Sequence, residues 1–221
     1  MIGPWRDPRL RSVVTASLTL GIAVGVFGFV FGVGAVSAGA SVLQACAMSL
    51  LVFTGASQFT AVSVVGAGGS TASALGSALL LAARNGVYGL AMARRLRGGL
   101  GRRLVAAQLT IDESTAMSAA QNEPEAGRAA FWITGIAVYV FWNLATFLGA
   151  IVGKAIDPTT FGLDAAFPAA FVAMLWPLLG TTRGRLAAAL GAVICVSSTP
   201  LLPVGVPILC AALAVLVGVR R

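Results

Sequence analysis

The chain has 221 residues, 58% of them hydrophobic and 10% charged. An ordinary soluble domain carries about 25% charged residues, and the mean hydropathy of +0.93 points the same way. The net charge of +8 comes almost wholly from arginine, with Lys154 the one lysine, and the arginines cluster at the ends of apolar runs. That placement follows the positive-inside rule, and no basic face with interleaved aromatics suggests nucleic acid. The chain contains no histidine, and Cys46, Cys195 and Cys210 lie in apolar runs without metal-ligand spacing. An odd cysteine count offers no disulfide framework. There is no Walker-type glycine loop and no catalytic triad. The expectation is a non-enzymatic protein without cofactors or metals.

In chain order, residues 1–11 are polar and carry Arg6, Arg9 and Arg11. The apolar run that follows is too long for a signal-peptide core and is read as a membrane segment. Runs of about twenty apolar residues suit a bilayer. They predict seven candidate spans at 13–36, 42–66, 71–92, 131–153, 167–179, 186–201 and 204–219. The fifth and sixth are short and Pro200, Pro203 and Pro207 interrupt the last pair, so six spans is a close alternative to seven. The fold predicted is an all-α polytopic membrane protein of the inner membrane, one transporter domain over 1–221. It divides into a first helical group at 12–92, a polar Arg-rich connection at 94–128 with an interfacial or re-entrant helix, and a second group at 129–221.

Orientation by arginine is self-contradictory for seven spans. Arg94, Arg95, Arg97, Arg102 and Arg103 belong inside, as do Arg183, Arg185, Arg220 and Arg221. Seven spans then put Arg6, Arg9 and Arg11 outside, unless one of the first three segments fails to cross. A weak internal repeat aligns Gly21-Ile-Ala-Val-Gly-Val-Phe with Gly135-Ile-Ala-Val-Tyr-Val-Phe. Two three-span groups at that offset would be inverted repeats, an organisation common in secondary transporters.

Three polar constellations interrupt the apolar runs. The first is Phe53-Thr-Gly-Ala-Ser-Gln-Phe59, where Gly55 permits unwinding and Ser57 and Gln58 supply hydrogen bonds. Unwound backbone at membrane depth belongs in a buried or cavity-lining place, although small residues with hydroxyls also serve as helix-packing glue. The second is Arg84-Asn85-Gly-Val-Tyr88-Gly89. Arg84 is the only charged residue between Arg11 and Arg94 and lies about 15 Å along a helix from Arg94. Such a guanidinium suits a substrate carboxylate or a structural ion pair, and Tyr88 shares its helix face. The third is Leu109-Thr-Ile-Asp112-Glu113. These carboxylates balance Arg84, bind an ammonium, carry a proton, or cap a helix beginning near Ser114.

These motifs resemble the AzlC family of branched-chain amino-acid permease subunits. Phe53 to Phe59 is close to the family's Phe-Ala-Gly-Ala-Ser-Gln-Phe. Arg84 to Gly89 stands where the family has Asn-x-Arg-His-x-x-Tyr-Gly, and Leu109 to Glu113 is similar to its Leu-Thr-Asp-Glu. Asp157-Pro158 and Phe161-Gly-Leu-Asp164 fit as well. The chain departs at Ala82, where the family has Asn, and at Asn85, where it has His, so proton coupling through that histidine does not carry over. The resemblance implies export of Val, Leu, Ile and sometimes Met together with a small AzlD-type membrane subunit.

Gly55, Ser57, Gln58, Arg84, Asn85 and Tyr88 are therefore candidates to bind substrate. Asp112 and Glu113 are candidates for its ammonium or a coupling proton, and Phe53 and Phe59 for lining a pocket. The rival readings are a channel or transporter for another small solute, and a non-transporting scaffold subunit.

Overall fold

The computed structural model describes residues 8–155 and 165–216. The Asp157-Pro158 and Asp164 positions, Arg6, and Arg220 and Arg221 lie outside those residues. All regular structure among the described residues is helical, as the sequence predicts. The helices are α1 (Pro8–Ser37), α2 (Val42–Leu51), α3 (Ala56–Gly66), α4 (Thr71–Met92), α5 (Leu100–Gln108), α6 (Asp112–Ala119) and α7 (Pro124–Ala155). They are followed by α8 (Ala166–Leu175), α9 (Thr182–Ser198) and α10 (Val206–Ala211), with short 3-10 segments after α8 and α10.

α1 and α7, with 30 and 32 residues, are each long and apolar enough to cross a bilayer. They form the central seam and pack along most of their lengths. Close approach is possible because glycine faces backbone. A Cβ at Gly28 would lie 2.7 Å from the Trp142 carbonyl oxygen, and one at Gly153 would lie 2.9 Å from Val33 Cα. Buried hydroxyl pairs, Ser17 with Thr134 at 2.8 Å and Ser49 with Thr146 at 3.2 Å, satisfy polar groups beside this seam. Around the bundle, large apolar side chains point outward, Leu43, Leu90 and Leu201 being about four-fifths exposed. Such a surface suits hydrocarbon rather than water.

The 42–66 run does not form one span. It breaks at 52–55 into α2 and α3, of 10 and 11 residues, each about 15 Å long and so half a bilayer. α2 begins just beyond the end of α1, and α3 returns to it, since a Cβ at Gly66 would touch Ala38 Cβ at 3.2 Å. This is a re-entrant hairpin. The 94–128 stretch contains a second one. α5 descends until Gln108 Nε2 donates to the Leu50 carbonyl at 2.8 Å. α6 climbs back along α7, from Leu109 beside Gly135 to Ser118, whose carbonyl accepts from Arg95 at the end of α4. Arg102 of α5 lies over the Trp132 ring at 5.5 Å, and Arg128 Nε donates to the Arg95 carbonyl.

Because each hairpin returns to the end from which it enters, the orientation conflict disappears. The start of α1 with Arg11, the cluster from Arg94 to Arg103, and Arg128 all lie at one end of the bundle. α9 places Arg183 and Arg185 there too, because its far end leads to Gly205 beside Ser73 at the start of α4. The repeat also resolves differently from the expectation. Inverted groups at the 114-residue offset would make α1 and α7 antiparallel, but successive contacts from Gly21–Ala137 to Val33–Gly153 show them parallel. The inverted pair is instead the two hairpins with the helices that follow them, α2–α4 and α5–α7, which enter from opposite ends.

Candidate functional site: the meeting point of two hairpin tips

Each hairpin tip is held by the same device. In the first, Gly55 turns the chain with φ of +62°, a conformation costly for any residue with a Cβ. Gln58, fully buried, accepts from the Gly55 N–H through Oε1 at 3.2 Å and donates to the Met48 carbonyl through Nε2 at 3.1 Å. Ser57 pairs with the Thr54 hydroxyl. In the second, buried Ser114 accepts from the Ile111 N–H at 3.1 Å and donates to the Leu109 carbonyl at 2.6 Å. Both straps use the third residue of the returning helix to satisfy the N–H of the residue before it. The carbonyl of Leu50 joins the two tips to α7, accepting from Gln108 and, at 3.1 Å, from the Tyr139 hydroxyl.

Between the tips lies a cavity of about 100 Å³. The first tip contributes Phe53, Thr54, Gly55 and Ala56, and the second Ile111, Asp112 and Glu113. α4 adds Arg84 and Asn85, while α1 and α7 close it with Val24, Phe27, Val138 and Trp142. Arg84 Nη1 binds Asp112 Oδ2 at 2.8 Å, with both side chains about two-fifths exposed. Tyr88, one turn on, lies within interaction range of Asp112, Arg84 and Glu113.

Two polar atoms here have no hydrogen-bond partner among the described residues: Asp112 Oδ1 and the indole Nε1 of Trp142, a residue only 3% exposed. A buried donor left unpaired costs on the order of 1–3 kcal/mol. Two residues lining the cavity thus carry one unpaired oxygen and one unpaired N–H. The cavity also receives the starts of α3 and α6, whose first N–H groups carry partial positive charge.

The sequence-predicted residues thus divide. Phe53, Gly55, Arg84, Asn85, Asp112 and Glu113 line the cavity. Gln58 is turned into the strap, and Ser57 is 2% exposed beside Thr54. Phe59 lies in a buried aromatic cluster, 5.8 Å from the Phe31 ring centroid and 6.2 Å from that of Trp142. Sequence reasoning missed Trp142 and the apolar wall of Val24, Phe27 and Val138. They stand in uninterrupted spans where nothing marks a helix face as cavity-facing.

A helical membrane protein with two re-entrant hairpins converging on a charged centre is the class this arrangement defines. A model described as AzlC protein matches residues 19–156, and the chain belongs to that family. The match runs from α1 through α7 and so contains both hairpins. The chain is 27% identical over 168 residues to the branched-chain amino acid transport protein AzlC of Bacillus subtilis (strain 168), covering 75% of this chain and 63% of that protein. It thus spans less than two thirds of that relative's length. It is 28% identical over 184 residues to an uncharacterized membrane protein of Helicobacter pylori, covering 82% and 80% of the two chains. No solved structure matches.

Proposed function

We propose that this chain is a secondary-transporter subunit that exports branched-chain or similar neutral amino acids across the inner membrane, working with a small AzlD-type partner. The observation that carries the reading is the cavity between the two tips, with its Arg84–Asp112 pair and its unpaired donor and acceptor. A zwitterion supplies the complement. Its carboxylate meets the start of α3, the Trp142 N–H and Arg84, because helix N-termini and guanidinium groups favour anions. Its ammonium meets Asp112 Oδ1 and Glu113. Val24, Phe27 and Val138 offer an apolar wall for an aliphatic side chain. Phe53, Gly55, Asn85 and Tyr88 shape the site, while Ser57, Gln58 and Phe59 hold the first tip in place. Glu113, a second carboxylate beside one arginine, is the group suited to carry a coupling proton when no ammonium is bound.

Substrate occupancy that favours one packing of the helices over another is what alternates access in such transporters. Relation to a named transport protein at 27% identity supports the substrate class. The test is export of preloaded valine, leucine and isoleucine from vesicles, with and without the co-expressed small partner. Saturable export in which the three compete is expected. Flux that neither saturates nor responds to these amino acids would overturn the reading.

A further inference from the structure

A second and larger cavity, about 370 Å³, opens between α4 and α5 at the arginine-rich end. Its walls are small, with Gly89, Ala93 and Ala107, and its two charged residues are Arg97 and Arg103. Both arginines are exposed, and neither pairs with a carboxylate among the described residues. Its floor is Thr110, which is 4% exposed and precedes Ile111 and Asp112 of the second tip. Gly89 is one turn beyond Asn85 on α4. Residues of the two cavities thus follow one another along the same two segments, with Tyr88 between Asn85 and Gly89 on α4 and Thr110 directly before Ile111.

Toward the other end the inner cavity is walled by an aromatic cluster. Phe31, Phe59 and Trp142 are buried with ring centroids about 6 Å apart, and Phe171 packs on Phe59 at 5.7 Å. A cleft lined by one sign of charge within low-dielectric walls concentrates ions of the other sign.

We propose that this vestibule is an anion-selective antechamber, taking carboxylate-bearing solutes from the arginine-rich end toward the Arg84–Asp112 pair, with Arg97 and Arg103 as its selecting charges. The identity of the solute rests on the amino-acid reading above; the path and its charge preference do not.

The experiment is side-specific thiol labelling in a background lacking Cys46, Cys195 and Cys210. Ala107→Cys and, independently, Ala93→Cys are exposed to small anionic, cationic and neutral methanethiosulfonates added from either side of oriented vesicles. The expected result is modification from the arginine-rich side, faster for the anionic than the cationic reagent by on the order of tenfold. Adding Arg97→Gln and Arg103→Gln abolishes that preference while labelling by the neutral reagent persists. Labelling only from the opposite side, or equal rates for the two charged reagents, overturns the proposal. Because labelling needs no transport, loss of amino-acid export with labelling intact refutes the substrate reading alone, and the reverse refutes the antechamber alone.

Discussion

The two hairpins share a geometry and differ in charge. Each is two half-helices joined by an unwound tip, strapped by one side chain, with the returning helix starting at the cavity. The first tip, Phe53 to Ala56, is uncharged, so the start of α3 keeps its positive character. The second begins its helix with Asp112 and Glu113, which outweigh the roughly half-unit charge of a helix N-terminus. One fold device thus provides an anion-attracting end and a cation-attracting end on opposite sides of one cavity. Arg84 bridges toward the second, where an excess of negative charge needs it.

The largest effect should come from breaking this asymmetry at Arg84. Arg84→Ala leaves Asp112 without its cation beside the cavity, and transport by an otherwise assembled protein should fall at least about tenfold, or 1.4 kcal/mol, with Arg84→Lys intermediate. An assembled variant exporting at the parent rate removes Arg84 from the site. Next in size, Gln58→Ala strands the Gly55 N–H and should lower stability by about 1–3 kcal/mol. Ser114→Ala should do the same at the second tip. Thermal unfolding in detergent measures both, and an unchanged midpoint for either would show that its tip does not depend on the strap.

Gly55→Ala tests the turn itself. A Cβ at φ +62° should cost on the order of 1–2 kcal/mol, whereas Gly86→Ala, with nothing within 4 Å of the added atom, should not destabilise. Equal midpoints for the two variants would contradict a strained tip. The smallest effect belongs to Trp142→Phe, which keeps an aromatic ring in the cluster while deleting the unpaired donor. A several-fold rise in the KM for export with an unshifted melting midpoint is expected, and an unchanged KM would separate the indole from the substrate.

Composition revealed the all-α membrane class, because lipid demands apolar length whatever the tertiary arrangement. Arg84, Asp112 and Glu113 were legible as a group for a related reason: charge in an apolar run is too costly to be incidental. What length could not reveal was the hairpin at 42–66. A re-entrant pair of half-helices has the same residue count and hydropathy as one crossing helix, and only the positive φ at Gly55 and the path of the chain tell them apart. Gln58 was visible as a polar residue at membrane depth, but whether its amide faces a ligand or its own backbone depends on the tip's curvature. Trp142 carries no polar signal in sequence, since an indole in a span usually packs as a hydrocarbon with a satisfied N–H.

The Leu50 carbonyl, gripped at once from α5 and α7, has a mechanical consequence. With Gln108 and Tyr139 both latched to one oxygen, neither tip can withdraw by itself without leaving a donor unpaired. The paired tips are therefore tied into a single wedge, fastened to α7 at one oxygen.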